Sequence, residues 1–146
     1  MTRLDRLVAR SRARIARLTA RGAWNAVKQG ALLVDTRPGF QRRADGEIPG
    51  AIVIERNHLE WRLHPASSGR IDEAVDANVR WIVICHEGYA SSLAAATLRA
   101  IGLLRATDLI GGFRAWRAAR LPVAKRRTLT VPRLAPRRVR RVRRSP

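Results

Sequence analysis

One cysteine, Cys85, stands among the 146 residues of this chain, directly after the apolar run Trp81-Ile82-Val83-Ile84 and before His86-Glu87-Gly88-Tyr89-Ala90-Ser91-Ser92. An alanine-rich stretch of helical composition follows. That order places a nucleophile on a strand-to-helix loop. Cysteine reacts as its thiolate, and backbone N–H groups closing on a helix N-terminus stabilise a sulfur anion. A free thiol ionises near pH 8.5, so bringing the midpoint below 7 asks such a loop for about 2 kcal/mol, which several converging amides can supply. A cysteine at the end of a buried strand can equally be a small core hydrophobe. The residues after it argue for chemistry: Gly88 permits backbone geometry closed to other residues, and Ser91 and Ser92 suit the cap of a helix from Leu93 to about Ile101.

The elements that must hold this loop can be read from the apolar pattern. A short helix through Lys28 ends at Gly30, and Ala31-Leu32-Leu33-Val34-Asp35 reads as a buried strand stopped by Thr36-Arg37-Pro38-Gly39. Polar residues 40–47 lead to the turn Ile48-Pro49-Gly50-Ala51 and a short strand Ile52-Val53-Ile54. Helices are expected over 57–63 and 71–78, and Arg80–Ile84 is the strand that feeds the cysteine. After the helix over 92–101, a strand at 107–110 and Gly111-Gly112 lead into a helix over 113–119, ended by Leu121-Pro122. Short apolar strands alternating with helices specify an α/β fold, a mainly parallel central sheet with helices on both faces. In such sheets chemistry gathers at the carboxyl ends of the strands, where Asp35 and Cys85 both fall.

With 46% hydrophobic residues the chain can bury one core. Of its formal net charge of +19, residues 1–22 carry +6 and residues 124–146 carry +10, leaving +3 for an ordinary globular middle over 23–123. Residues 1–22 form a basic amphipathic helix: Leu4, Leu7, Val8, Ile15 and Leu18 share one side, and Arg3, Arg6, Arg10, Arg14, Arg17 and Arg21 make an adjacent stripe. Its apolar side is read as docking on the domain or, in a homodimer, on a second copy. Without a large aromatic anchor on that face it is not read as a membrane-surface helix. Only two of the thirty basic residues are lysine, so coding composition accounts for part of the arginine excess. The Arg-rich tail 124–146 reads as disordered, with weak polyanion binding and no specific nucleic-acid role, because it lacks aromatic residues for base stacking. A lone cysteine fits a reducing compartment, no run is long enough to span a membrane, and no secretory h-region is present, so the expected location is cytoplasmic.

Four blocks together resemble the rhodanese family of sulfurtransferases: Val34-Asp35-Thr36-Arg37, Gly46-Glu47-Ile48-Pro49-Gly50-Ala51, the loop from Cys85, and Leu109-Ile110-Gly111-Gly112-Phe113-Arg114-Ala115-Trp116. They stand in the family's order and approximate spacing over residues 18–123. The resemblance implies a single rhodanese-like domain, a persulfide carried on Cys85, and a loop in which His86, Glu87, Gly88, Tyr89, Ala90 and Ser91 bind substrate, their amides cradling the outer sulfur. Asp35 and Arg37 are read as supports of that loop, with direct donation to substrate from Arg37 as the alternative. The family's loop often reads Cys-x-x-Gly-x-Arg-Ser; here Ala90 takes the arginine position, and Glu47 takes that of the histidine usual before Ile-Pro-Gly-Ala. With a loop cation absent and Glu87 nearby, a small-molecule or protein persulfide suits the site better than thiosulfate as donor, and a thiol or other nucleophile is the acceptor. No cofactor and no metal are called for.

Other chemistries fit less well. A cysteine phosphatase of the Cys-x5-Arg pattern needs an arginine where this chain has Ser91. A metal site from Cys85 and His86 would have to recruit His58 or His64 without recognisable ligand spacing. Tyr89 reads as a lid or as a packing residue, and Trp116 as core. The alternative of a different class is a low-turnover rhodanese-like binding or regulatory module in which Cys85 senses oxidants or persulfides.

Overall fold

The computed structural model describes residues 1–125, so the tail expectations lie almost wholly outside the described residues. Among the described residues four strands, β1 (Leu32–Asp35), β2 (Ile52–Val53), β3 (Trp81–Ile84) and β4 (Thr107–Asp108), form one parallel sheet in the order β2-β1-β3-β4. Six α-helices among the described residues surround it: α1 (Arg3–Ala13), α2 (Ala20–Lys28), α3 (Gly39–Asp45), α4 (Leu59–Leu63), α5 (Ala90–Ala100) and α6 (Gly112–Ala118). The expected α/β architecture is present.

Alternation along the buried strands divides the core into two layers. Val34, Trp81 and Val83 face Leu59 and Leu63 of α4 and Ala94, Ala95 and Leu98 of α5. Leu33, Ile82 and Ile84 face Ala23 and Ala26 of α2 and Phe113 and Trp116 of α6. Both faces of β1 and β3 are thus covered, which is why their sequences read as unbroken apolar runs. Trp116 is fully buried, as expected, and its indole N–H donates to the Pro122 carbonyl at 2.9 Å.

The N-terminal helix is present but shorter than expected. A capping box between Thr2 and Asp5 starts α1, which ends at Ala13. The chain then runs beside β4: Thr107 Oγ1 donates to the Ala16 carbonyl at 2.7 Å, and Leu18 and Leu109 form a parallel bridge. Thr19 caps α2 by accepting from the Gly22 amide. Residues 14–19 therefore cover the edge strand, a use of backbone that a continuous helix forbids. The face turned to the domain also differs from the apolar stripe. Val8, Ser11, Arg12 and Ile15, spaced i, i+3, i+4, i+7, are buried or half-buried, while Leu4 and Leu7 are exposed. α1 docks on α5 of its own chain.

Two further expectations are corrected. Residues 71–78 form turns, not a helix: Asp76 accepts from the Asn78 amide at 2.8 Å, and the Ile71 amide is tied to the Arg62 carbonyl at 2.9 Å. Residues 40–47, expected as a polar lead-in, instead hold most of α3, which buries none of its side chains and so carries no apolar signature.

Candidate active site

β1 sits inside the sheet with β2 on one side and β3 on the other, so the strand order reverses at the β1/β3 pair. Asp35 and Ile84 are register partners there, and Cys85 follows immediately at the carboxyl end. The end of β3 is held on both sides. Thr36 donates to the Ile84 carbonyl through its amide (2.9 Å) and its hydroxyl (2.8 Å), and the Phe113 amide donates to the Cys85 carbonyl (2.9 Å).

The loop closes around the sulfur. Cys85 Sγ accepts from the Gly88 amide at 3.1 Å and the Ser91 amide at 3.4 Å. Ser91 is the second residue of α5, so the thiol stands where a capping side-chain oxygen would. This corrects the expectation that Ser91 and Ser92 cap the helix. Both lie in its first turn, and both hydroxyls donate 2.8 Å bonds to Asp108 Oδ2. Of the two serines, only Ser91 reaches the sulfur, through its amide. The amides of Glu87, Tyr89 and Ala90 have no acceptor among the described residues.

Glycine is required beneath the loop. Gly88 has φ +86°, and a Cβ there would lie 2.7 Å from the Gly111 nitrogen. Gly112, at φ +60°, would place a Cβ 2.5 Å from the Cys85 carbonyl oxygen and 2.8 Å from the Gly88 nitrogen. The turn into α6 is therefore packed backbone-to-backbone against the cysteine loop.

Cys85 opens on a pocket of about 410 Å³ lined also by Thr36, Arg37, Pro38, Gln41, Arg56, His86, Glu87, Tyr89 and Ala90. Of the residues singled out from sequence, Arg37, Cys85, His86, Glu87, Tyr89 and Ala90 line this pocket, whereas Gly88 and Ser91 do not line it and reach the sulfur through their amides. Arg37, 1% exposed, forks onto Asp35 (Nη2 to Oδ2 2.8 Å), donates to the Gly46 carbonyl (2.9 Å) and lies 3.8 Å over the Phe113 ring. Its Nη1 is buried without a partner among the described residues. Asp35 stands behind Arg37 and does not line the pocket. His86 Nδ1 is 3.8 Å from Asp45 Oδ2, beyond hydrogen-bond reach. Glu87 pairs with Arg114 at 3.2 Å on the surface, and Glu47, in the place of the family's histidine, pairs with Arg42. Tyr89 is 59% exposed and has the Arg12 guanidinium 5.1 Å from its ring. His64 accepts from the Ala66 amide and lines a different cavity. That cavity, about 870 Å³ around Trp61, is the larger of the two and shares Arg56 with the first, but Cys85 does not line it.

Sequence reasoning missed several residues here. Arg12 and Arg17 both donate to the Gly88 carbonyl (2.9 and 3.0 Å), and Arg17 forks onto Asp108 (2.8 and 3.1 Å). Asp108, fully buried, thereby receives both serine hydroxyls and the Arg17 guanidinium. Nothing in the order of residues pairs position 17 with position 108. Arg56, at the pocket rim and paired with Glu60, was likewise unmarked.

The model of the rhodanese-like domain matches residues 19–119. The thiosulfate sulfurtransferase GlpE of Haemophilus influenzae is 32% identical over 106 residues, covering 73% of this chain and 91% of that protein. A Rhodopseudomonas palustris protein of unknown function, described as a possible tyrosine phosphatase, superposes with a TM-score of 0.75 at 30% identity, covering 84% of this chain and 96% of the other. The polysulfide-sulfur transferase homodimer of Wolinella succinogenes shares the fold, with a TM-score of 0.65 at 22% identity, covering 84% and 88%. Over the stretch that holds the sheet, the cysteine loop and the glycine turn beneath it, this chain belongs to the rhodanese-like domain family.

Proposed function

We propose that the protein is a sulfurtransferase that carries sulfane sulfur as a persulfide on Cys85. The observation that carries this reading is the seating of Cys85 Sγ on the Gly88 and Ser91 amides at the mouth of an open pocket. An apolar core cysteine has no use for two N–H donors. The relation to a thiosulfate sulfurtransferase supports the class of reaction.

The chemistry is a double displacement. The Cys85 thiolate attacks the terminal sulfur of a persulfide R–S–S⁻; the donor S–S bond breaks, R–S⁻ leaves, and Cys85–S–S⁻ remains. An acceptor thiolate then attacks the outer sulfur, the Cys85–S bond breaks, and the thiolate is restored. Thiosulfate would follow the same course with sulfite as leaving group. The charge on sulfur is conserved through both steps, so donors that hold the thiolate also serve the outer sulfur. The unpartnered amides of Glu87, Tyr89 and Ala90 suit that second position. Arg37 and Arg56 line the pocket, so the missing cation at position 90 does not leave it without positive charge. Arg37, tied to Asp35 and Gly46, acts as support for the loop by way of Phe113, with Nη1 left over for an anionic donor.

Phosphatase chemistry is disfavoured by Ser91, whose hydroxyl is committed to Asp108 where that reaction needs an arginine. Sulfur transfer to a thiol acceptor, with thiosulfate and with glutathione persulfide as donors, tests the proposal in wild type and Cys85→Ser. Turnover that disappears in Cys85→Ser is expected. Equal rates in the two proteins would refute it, and a Cys85 adduct without turnover would assign the protein to a storage or sensing role.

A further inference from the structure

The peptide between Gly88 and Tyr89 is gripped from outside the loop. The Gly88 carbonyl accepts from Arg12 Nη2 at 2.9 Å, Arg17 Nη2 at 3.0 Å and Ser92 Oγ at 3.3 Å. Both guanidiniums come from the N-terminal segment, upstream of the 19–119 stretch shared with the family. Both are themselves anchored: Arg17 by its fork onto buried Asp108, Arg12 by donation from Nε to Ser92 Oγ at 3.1 Å and by its position over Tyr89.

A peptide unit is planar and trans, so its N–H points opposite to its C=O. Drawing the Gly88 carbonyl toward two cations turns the Tyr89 N–H away from them. Charge drawn toward the carbonyl oxygen also makes that N–H a stronger donor. Gly88 meanwhile gives its own N–H to Cys85 Sγ. One glycine thus links the arginines to the sulfur through consecutive peptide units.

Resting on the reading that Cys85 handles sulfur, we propose that Arg12 and Arg17 are positioning residues for the persulfide loop. They supply, from behind and through the backbone, the positive charge that Ala90 does not supply from within. An anionic sulfur then meets polarised amides while the guanidiniums stay bound to carbonyl and carboxylate.

The test uses the full chain with Arg12→Met, Arg12→Lys and Arg17→Lys. Three quantities are read: the pH profile of Cys85 alkylation by iodoacetamide, the rate of sulfur transfer, and the thermal unfolding midpoint. Arg37, Arg56, His86, Glu87 and Tyr89, the other charged or titratable groups lining the pocket, are common to all four proteins; only Tyr89 touches a substituted residue, Arg12, so Arg17→Lys, which leaves that contact in place, separates its influence. Arg12→Met and Arg17→Lys should move the half-maximal pH of alkylation upward by about half a unit to one unit, a threefold to tenfold change in thiolate population at a given pH. kcat should fall about tenfold with KM within about twofold. Arg12→Lys keeps the charge but cannot fork onto Ser92 and Gly88 together, and should fall between; it also decides the matter if Arg12→Met does not fold. Alkylation profiles coincident with wild type, whether activity holds or falls in step with unfolding, would overturn the proposal. If the wild type transfers no sulfur, the function reading fails, and the alkylation profiles still decide the positioning role.

Discussion

Gly112→Ala offers the sharpest probe of the backbone-to-backbone seat under the cysteine loop. The added Cβ would lie 2.5 Å from the Cys85 carbonyl oxygen, 2.8 Å from the Gly88 nitrogen and 2.8 Å from the His86 carbonyl carbon. All three are main-chain atoms, so no side chain can swing aside. Ordinary contact requires the loop and the α6 turn to part by about 1 Å, enough to break the 3.1 Å bond from the Gly88 amide to Sγ. Forced overpacking costs about 1–3 kcal/mol, and a left-handed alanine at φ +60° adds about 1–2 kcal/mol. The natural control is Gly50→Ala, at φ +79° with nothing within 4 Å of its Cβ, which suffers the conformational cost alone. Urea denaturation should therefore show a loss of about 2–5 kcal/mol for Gly112→Ala against about 1–2 kcal/mol for Gly50→Ala. Assayed at a temperature where both are folded, sulfur transfer should fall about a hundredfold in the first and stay near wild type in the second, because a misplacement of about 1 Å has that effect on a reacting group. Equal stability and equal activity in the two variants would refute the steric argument.

Asp108→Asn removes the charge that receives Arg17, Ser91 and Ser92; with one partner of a buried ion pair gone, urea denaturation should show a loss of about 3 kcal/mol. Arg37→Lys keeps charge but cannot reproduce the fork onto Asp35, the bond to Gly46 and the stacking on Phe113, so a loss of about 2–3 kcal/mol is expected by the same measurement. Hydrogen bonds from the Thr2 backbone and hydroxyl hold the Asp5 carboxyl below its ordinary 3.8. A depressed folded value means that the cap of α1 is at full strength above pH 3.8 and is lost as pH falls through the lower folded value. NMR titration of the Asp5 carboxyl should show the lowered midpoint, and Thr2→Ala should return it toward 3.8.

β1, β3 and α5 were legible because each is buried strongly enough to write its burial into the sequence. α3 was not, since a helix that buries no side chain leaves no periodic trace. The turns at 71–78, with Val79 just after them, set Ile71, Ala74, Val75 and Val79 at helix-like spacing, yet Asp76 offers the backbone a local partner that competes with a helical bond. At the site, Cys85 and the loop after it could be found because nucleophile, glycine and helix start are adjacent in the chain. Asp35 could be found at the carboxyl end of a buried strand, and Arg37 through the block Val34-Asp35-Thr36-Arg37 of the family resemblance. Arg12 and Arg17 were hidden among seven arginines in the first 22 residues. Their significance lies in contacts to Gly88 and Asp108, 71 to 91 positions away.

The central claim is that the sulfur atom in transit sits on Cys85. Intact-protein mass spectrometry of the full chain after exposure to a persulfide donor, before and after reductant, measures this directly. One added sulfur, about 32 Da, should appear in the wild type, vanish on reduction or on addition of a thiol acceptor, and be absent from Cys85→Ser. A wild type that gains no mass, or a Cys85→Ser protein that gains the same mass, would contradict the account.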